Sequence, residues 1–519
     1  MPGPRDAFYT LLLFAPVLLW GYYRKRSNER SSHPPSPTSL PLVGNLFSLP
    51  SGPEHVMYMQ IGRQLKSDIV YLSLLGHEIV VLNSSKAASE LLDKRSASYS
   101  DRFCPLIITD QDLLNWSSAP TVMRYNDVWR HHRRMLNKWL NIRTVLQFQK
   151  LQENQARALL RRLTGVSAEG HRFDNLKDEV VFSMTSSIFQ LAYGYTAKEK
   201  PDPYFDAAHE SDHNAARAAM ITTFYVNIFP FLNYIPEWIP GTGWKRTIRA
   251  WRKQKDYALD APFRWTQDQV RQGTNADSII ADLLQDHSIT SGLSVEERDI
   301  RLKELGHVLF SGGTDTTALL VLSFVAAMVL NPDVQAKAQQ EIDLALGSGV
   351  LPQTSDQERL PYVNRLILEV LRWRPVLPIA IPHRCFQDDV YRGYRISKGT
   401  IVIGNVWAIT RDESVYVDPE KFNPDRFLDP DVPHAPAFGW GRRKCPGIHF
   451  GEASLFITIA SLLATFTFSK RKDSSGDDIE PVIENTSDSI LLGLKPFELE
   501  FAPRSDAHRQ LISESDPSH

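Results

Sequence analysis

Apolar positions change rhythm several times along the chain. Residues 7–23 (AFYTLLLFAPVLLWGYY) form an uncharged run, at the short end of what spans a bilayer. The stretch IVYLSLLGHEIVVLN (69–83) sets two short apolar runs on either side of a turn and predicts two paired strands folded at Gly76. From Ser85 the spacing turns helical, as in SKAASELLDKRSASY, KDEVVFSMTSSIFQLAYGY and ADSIIADLLQDH. Strand spacing returns in VYRGYRISKGTIVIGN (390–405), and an apolar run, GIHFGEASLFITIASLLATF, follows at 447–466. No repeat or low-complexity tract interrupts residues 45–500. The pattern predicts a mainly α body with small β-sheets, one large domain over 46–503, and a polar tail, 504–519, expected to fray.

The flanks of the first run assign its role. Arg24, Lys25 and Arg26 follow it directly, and cations on that side keep the remainder of the chain in the cytoplasm. No small-residue cleavage site follows, so 7–23 reads as an uncleaved transmembrane anchor behind a short flank, 1–6. Residues 24–45 read as a basic, Pro-rich hinge, its prolines favouring an extended spacer. The aromatic stretch 221–245 (ITTFYVNIFPFLNYIPEWIPGTGWK) has two readings: core packing around a Pro-rich loop, or a second membrane-dipping surface beside a substrate entrance.

Residues 294–330 predict one long helix. Ser294 and Glu297 form a capping box, and Asn331-Pro332 supplies the stop. Its centre, Ser311-Gly312-Gly313-Thr314-Asp315-Thr316-Thr317, is poor helix material, since an interior glycine costs about 1 kcal/mol relative to alanine. Either Gly312 and Gly313 admit a neighbouring helix, or they form a notch for a small ligand, with Asp315 and Thr316 passing protons to a bound oxygen species.

Composition narrows the chemistry. The 519 residues, 42% of them hydrophobic, suffice for a large core, and a net charge of −2 gives no field that points to nucleic acid. Three scattered cysteines, Cys104, Cys385 and Cys445, offer neither a disulfide framework nor a CxxC pair, which suits a reducing compartment. Cys445 lies in FGWGRRKCPG, behind Arg442, Arg443 and Lys444, which favour a thiolate. Gly441 and Gly447 permit tight backbone, Phe438 offers an apolar shield, and the helix expected next places its N-terminus near the sulfur. Zinc is disfavoured, because His449 alone does not complete a site.

On these residues the chain resembles the cytochrome P-450 haem-thiolate monooxygenases of microsomal type. FGWGRRKCPG is similar to their haem-binding segment F-x-x-G-x-R-x-C-x-G, and GGTDTT (312–317) to their oxygen-activation segment. Glu369 and Arg372 match E-x-x-R, Pro424-Asp425-Arg426-Phe427 matches P-E-R-F with Asp425 in place of Glu, and Trp129 with Arg133 matches W-x-x-x-R. The segments AIPHRCFQDDVYRGYRISKGT and AFGWGRRKCPGIHF are similar to the fungal branch resembling O-methylsterigmatocystin oxidoreductase, which serves secondary metabolism and oxidation of foreign aromatics.

The resemblance implies the cytochrome P-450 fold, with haem whose iron takes Cys445 as axial ligand and Gly312 and Gly313 beside it. It implies that Arg443, Arg133 and Trp129 hold the propionates, with His383 or Arg384, and that Asp315 and Thr316 deliver protons. Glu369, Arg372 and Arg426 would form a buried network that positions the cysteine loop; read alone, an exposed pair at that spacing contributes about 0.3–0.5 kcal/mol. The chain has no G-x-G-x-x-G and no flavin region. Electrons are therefore expected from outside the chain, and the resemblance implies NADPH through an NADPH–cytochrome P-450 reductase, meeting cations such as Arg130, Arg134, Lys138 and Arg442. Dioxygen and a hydrophobic small molecule are the implied substrates, with Phe310, Leu377, Ile379, Ile381, Ile490 and Leu491 lining the pocket. The implied location is the endoplasmic reticulum membrane, single-pass, with the catalytic domain cytoplasmic. Two other classes fit the same segments: a haem-thiolate isomerase or dehydratase not using dioxygen, and a non-catalytic haem sensor.

Overall fold

The architecture comes from a computed structural model that describes residues 33–169, 172–197, 200–219, 224–274, 277–286, 288–486 and 490–515. The apolar run 7–23 and the cations at 24–26 lie outside these residues. The expected mainly helical domain with small sheets is present, and its contacts gather in two compact units.

One unit holds the described residues of Met1–Asp101 together with Pro382–Asn405. It carries a helix, α1 (Glu54–Leu65), and the principal sheet. Strands β1 (Ile69–Leu74) and β2 (His77–Leu82) pair antiparallel, with Leu74 opposite His77. Leu75 and Gly76, both at positive φ, close the two-residue turn between them. The sheet order is β1-β2-β7-β4-β3, with β3 at Asp101–Arg102, β4 at His383–Arg384 and β7 at Ile401–Gly404. Strand β7 runs parallel to β2, setting Val402 beside Val80. A hairpin of β5 (Asp389–Tyr391) and β6 (Tyr394–Ile396) completes the unit. The hinge, expected as an extended spacer, is docked here over 33–45: Tyr71 N–H donates to the Pro35 carbonyl at 2.9 Å. His33 stacks on the Tyr71 ring, and Asn45 receives the Ser73 N–H at 2.7 Å. Prolines leave no ladder of their own, so strand β1 and the Asn45 side chain satisfy this segment's polar groups.

The other unit, Arg102–Ile381 and Val406–His519, is helical. Its elements include α2 (Asp127–Leu140), α3 (Gln149–Glu169), α4 (Phe173–Tyr193), α5 (Pro203–Ala219), α6 (Trp244–Gln272), α7 (Val295–Leu330), α8 (Pro361–Trp373), α9 (Ile448–Thr465) and α10 (Asp506–Glu514). Helix α7 has the expected capping box at Ser294 and Glu297 and stops at Asn331. Helices α7 and α9 are apolar enough to cross a bilayer, but 72% of each apolar window is buried inside the protein, so that apolarity serves the core. The described part of the tail, 504–515, holds a helix against the expected fraying: Ser505 caps α10, Ile512 is buried, and Arg161 donates to the Ser515 carbonyl at 3.0 Å.

Within 221–245, residues 221–223 lie outside the described set. Phe224 packs edge-on against Trp251, whereas Tyr225, Phe231, Tyr234 and Trp238 are exposed, Tyr234 at 87%. Core packing thus accounts for Phe224 alone of these five.

Candidate active site

The cysteine loop is shaped by two glycines and closed by the chain itself. Gly439 (φ 72°) and Gly441 (φ 55°) adopt backbone that L side chains rarely take. Cys445 N–H then donates to the Phe438 carbonyl at 2.9 Å, closing the turn. Sequence reasoning named Gly441 and Gly447. Gly447 has an ordinary φ of −88°, and the second turn-forming glycine is Gly439, whose signal was the G-W-G spacing. Phe438 packs on the core with its ring 3.7 Å from where a Gly451 side chain would begin.

The electrostatics of Cys445 differ from expectation. Burial pushes its thiol up, and the Gly447 N–H and the Arg133 charge offset this only partly. The three preceding cations do not account for the sulfur's environment. Arg443 donates to the Pro120 and Met123 carbonyls and lies 4.3 Å over the Trp129 ring. Arg442 donates to the Tyr125 hydroxyl at 2.9 Å, and Lys444 is exposed. A nearby charge in sequence pointed elsewhere in space, while Arg133, from α2, points its field at the sulfur.

Helix α2 begins at an Asn126 cap that accepts from Trp129 N–H at 2.8 Å. It brings Trp129, Arg133 and the cysteine loop together. Arg133 is half-buried, and among the described residues it has no carboxylate or carbonyl partner. A half-buried unpaired guanidinium beside a half-buried thiol suits a group that offers both a metal and carboxylates. The middle of α7 fits the same group. A side chain added at Gly312 would meet nothing within 4 Å, although the helix around it is largely core. The two glycines have different surroundings: Gly312 faces open space, whereas a side chain at Gly313 would lie 2.6 Å from Ile188 Cδ1 of α4. Gly313, expected beside the cofactor, is a helix-packing residue instead. Helix α7 carries both glycines without a break.

Thr316 Oγ1 donates to the Gly312 carbonyl at 2.6 Å. Burial pushes the Asp315 carboxyl up; His209 draws it down and Asp212 pushes it further up. His209, on α5, lies 3.6 Å from Asp315 and was not foreseen, because only the packing of α5 on α7 brings the two together.

The E-x-x-R pair is wholly buried rather than exposed. Arg372 Nε and Nη2 donate to the two Glu369 oxygens at 2.7 and 2.8 Å, a bidentate pair with both side chains fully buried. Arg426 Nε donates to the same carboxylate at 3.0 Å, and Asn423 N–H adds a bond at 2.8 Å. Arg372 and Arg426 spend their remaining donors on carbonyls from Thr410 to Lys421, including Pro419 at 2.7 Å and Val417 at 2.8 Å. Asp425, in the place of Glu, pairs with Lys337 at 2.7 Å.

Of the expected pocket residues, Leu377, Ile379, Ile381, Ile490 and Leu491 are half-buried, and Leu492 N–H joins their two segments at the Val376 carbonyl. Phe310 is not a lining residue but core, fully buried against Phe189. His383 and Arg384 lie in the sheet unit, where His383 Nδ1 meets the Tyr99 carbonyl at 2.7 Å and Arg384 donates to the Gly399 carbonyl at 3.2 Å. Of the candidate docking cations, Arg130 pairs with Asp127 and Lys138 with Asp286; Arg134 is exposed and has no partner among the described residues.

A family model described as Cytochrome P450 matches residues 34–501. The chain is 35% identical to a cytochrome P450 monooxygenase of Armillaria gallica, over 96% of this chain and 98% of the relative. It is 36% identical to cytochrome P450 monooxygenase 98 of Postia placenta, over 94% of each, and 33% identical to a tryptamine 4-monooxygenase of Psilocybe cyanescens, over 97% of this chain and all of the relative. The fold is similar to a zebra fish cytochrome P450 structure with progesterone, at a TM-score of 0.72 and 22% identity, covering 87% of this chain and all of that one.

Proposed function

The chain belongs to the cytochrome P450 family, oxidoreductases that hold haem by a cysteine thiolate and use dioxygen and reductase-supplied electrons, and from that premise we propose a membrane-anchored hydroxylase of a hydrophobic, aromatic small molecule. When bound, the haem supplies the chemistry of dioxygen activation, its thiolate ligand favouring cleavage of the O–O bond. The residues assigned to hold it are Cys445 at the iron and Arg133, Arg443 and Trp129 at the carboxylates. The observation that carries this assignment is Arg133, half-buried, unpaired among the described residues and felt by the sulfur. Because burial raises the thiol, the free loop favours S–H, and holding iron as a thiolate would require Cys445 to give up that proton.

Asp315 and Thr316 divide the proton handling. A carboxyl held above its usual range is a proton donor nearer neutral pH, and the Thr316 hydroxyl, tethered to Gly312, stands beside the open face. The Glu369–Arg372–Arg426 network fixes the segment 410–426, which leads into the cysteine loop. The half-buried apolar side chains of 377–381 and 490–491 favour an apolar substrate. The tryptamine 4-monooxygenase among the relatives supports an aromatic one, and the setting proposed from the sequence resemblance is fungal secondary metabolism. The exposed Tyr225, Tyr234 and Trp238 supply amphipathic rings and Phe231 an apolar one for a membrane surface, and the apolar run 7–23 supplies the anchor in the endoplasmic reticulum. An NADPH-dependent reductase would meet the face bearing Arg134 and Arg442.

The reduced, carbon monoxide-bound absorption spectrum tests the ligand assignment. The wild-type protein should show the strongly red-shifted Soret band of thiolate-bound haem, and Cys445→Ser should lose it. An unchanged band in the serine variant removes the assignment.

A further inference from the structure

Thr185, His209 and Asp315 form a chain across three helices. His209 Nε2 lies 2.8 Å from Thr185 Oγ1 of α4, and His209 Nδ1 lies 3.6 Å from Asp315 Oδ1 of α7. The Thr185 hydroxyl donates to the Val181 carbonyl at 2.8 Å. A hydroxyl has one proton, so toward His209 it accepts, and the Nε2 position carries the hydrogen. Nδ1 therefore faces Asp315 either bare or as part of an imidazolium. A bare Nδ1 opposite a carboxylate would set two acceptors against each other; one proton, on Asp315 or on Nδ1, removes the conflict. At 3.6 Å the contact is at ion-pair rather than hydrogen-bond range, as catalytic pairs often are before ligand binds.

The surroundings favour this pair over others. Asp212 of α5 is engaged by His307 of α7 at 2.8 Å. The remaining charged groups that act on Asp315 are Lys177 of α4 and His213 of α5, which with His209 oppose the push of burial and Asp212. The Phe310 ring of α7 packs edge-on against His209 at 5.1 Å and offers no proton site. The Asp315 and His209 side chains keep 34% and 27% exposure, so water reaches the pair, whereas Thr185 is fully buried and anchors it.

We propose that His209 holds and returns the proton that Asp315 delivers, acting through Asp315 and touching neither haem nor substrate. This rests on the monooxygenase reading above. In the transfer the Nδ1–H bond breaks and an O–H bond forms on Asp315; the imidazolium becomes a neutral ring that keeps its hydrogen on Nε2. A proton from bulk solvent, arriving as hydronium and leaving neutral water behind, then restores Nδ1–H.

The test uses the full-length haem-loaded protein with His209→Gln, Thr185→Val and Asp315→Asn. Infrared spectroscopy follows the protonated-carboxyl band that shifts in D2O and is absent from Asp315→Asn. In His209→Gln the band should persist to higher pH, its midpoint moving up by about 1 unit, because an opposite charge beside the carboxyl is gone. Thr185→Val should move it in the same direction by less. In turnover, His209→Gln should release more of its NADPH electrons as hydrogen peroxide, at unchanged KM, and the pH profile of that release should flatten. A midpoint and pH profile unaltered in His209→Gln overturn the proposal, as does the lack of any Asp315-dependent band in the wild type. If the infrared titration behaves as expected while no NADPH-dependent oxidation occurs, the proton pair stands and the monooxygenase reading falls.

Discussion

Two polar clusters of the helical unit follow opposite rules. Around Glu369 each carboxylate oxygen is bonded, the Arg372 side chain is fully buried and that of Arg426 nearly so, and backbone carbonyls take up further donors. Around Asp315 the bonds are incomplete: His209 stands 3.6 Å away, Thr314 Oγ1 has no partner among the described residues, and Gly312 faces open space. A buried network with its bonds made is held in one arrangement, because each lost partner strands a charge in a poor dielectric. A cluster with a shared proton and water access can change protonation at little cost. The first suits a scaffold and the second suits chemistry, and nothing in residue type alone separates them, since both are acids beside bases.

The largest effect expected from this contrast is on the scaffold. Glu369→Ala leaves two buried guanidinium groups without their carboxylate and should lower stability by about 3–5 kcal/mol, read by urea unfolding; a loss within the noise would make the cluster no different from a surface pair. Next is the chemical side. Asp315→Asn keeps the shape and removes the transferable proton, so kcat should fall by roughly 100-fold with KM little changed. An equally large loss of stability there would erase the distinction between the clusters.

The glycine pair gives a finer probe. Gly313→Ala must displace Ile188 whereas Gly312→Ala meets no atom, so the first should unfold about 1–3 kcal/mol more easily than the second. Equal stabilities would deny the asymmetry. The smallest effect is in pH. The Asp315 carboxyl is raised in the folded protein, so the stability linked to its proton is complete below the unfolded value and is lost as pH rises through the folded one. At neutral pH Asp315→Asn should therefore melt above the wild type, with the gap closing toward about pH 4. A gap that widens on acidification would reverse the sign of the burial argument.

Much of the fold was legible in the sequence. The hairpin at Gly76, the capping box of α7 and its stop at Asn331 follow from local residues, because turns and caps are satisfied within a few positions. The motif residues were legible too, since loop, helix and cysteine lie in short segments. Other properties of the site were not. Arg442 and Arg443 adjoin Cys445 in the chain yet spend their donors on Tyr125, Pro120 and Met123, while Arg133, more than 300 positions away, acts on the sulfur. Phe310 was expected in the pocket and packs in the core, because helical phase alone does not say which neighbour fills a face.

The sequence by itself determined the elements, their caps and turns, and the presence of a thiol behind a glycine-bearing turn at a helix start, all of which depend on interactions across a few residues. Only the tertiary structure decided which of two adjacent glycines faces space, that Glu369 and its arginines are buried, and that a histidine from α5 meets Asp315. Those outcomes depend on burial and on distances between segments far apart in the chain, and dielectric and proximity are properties of the packed molecule.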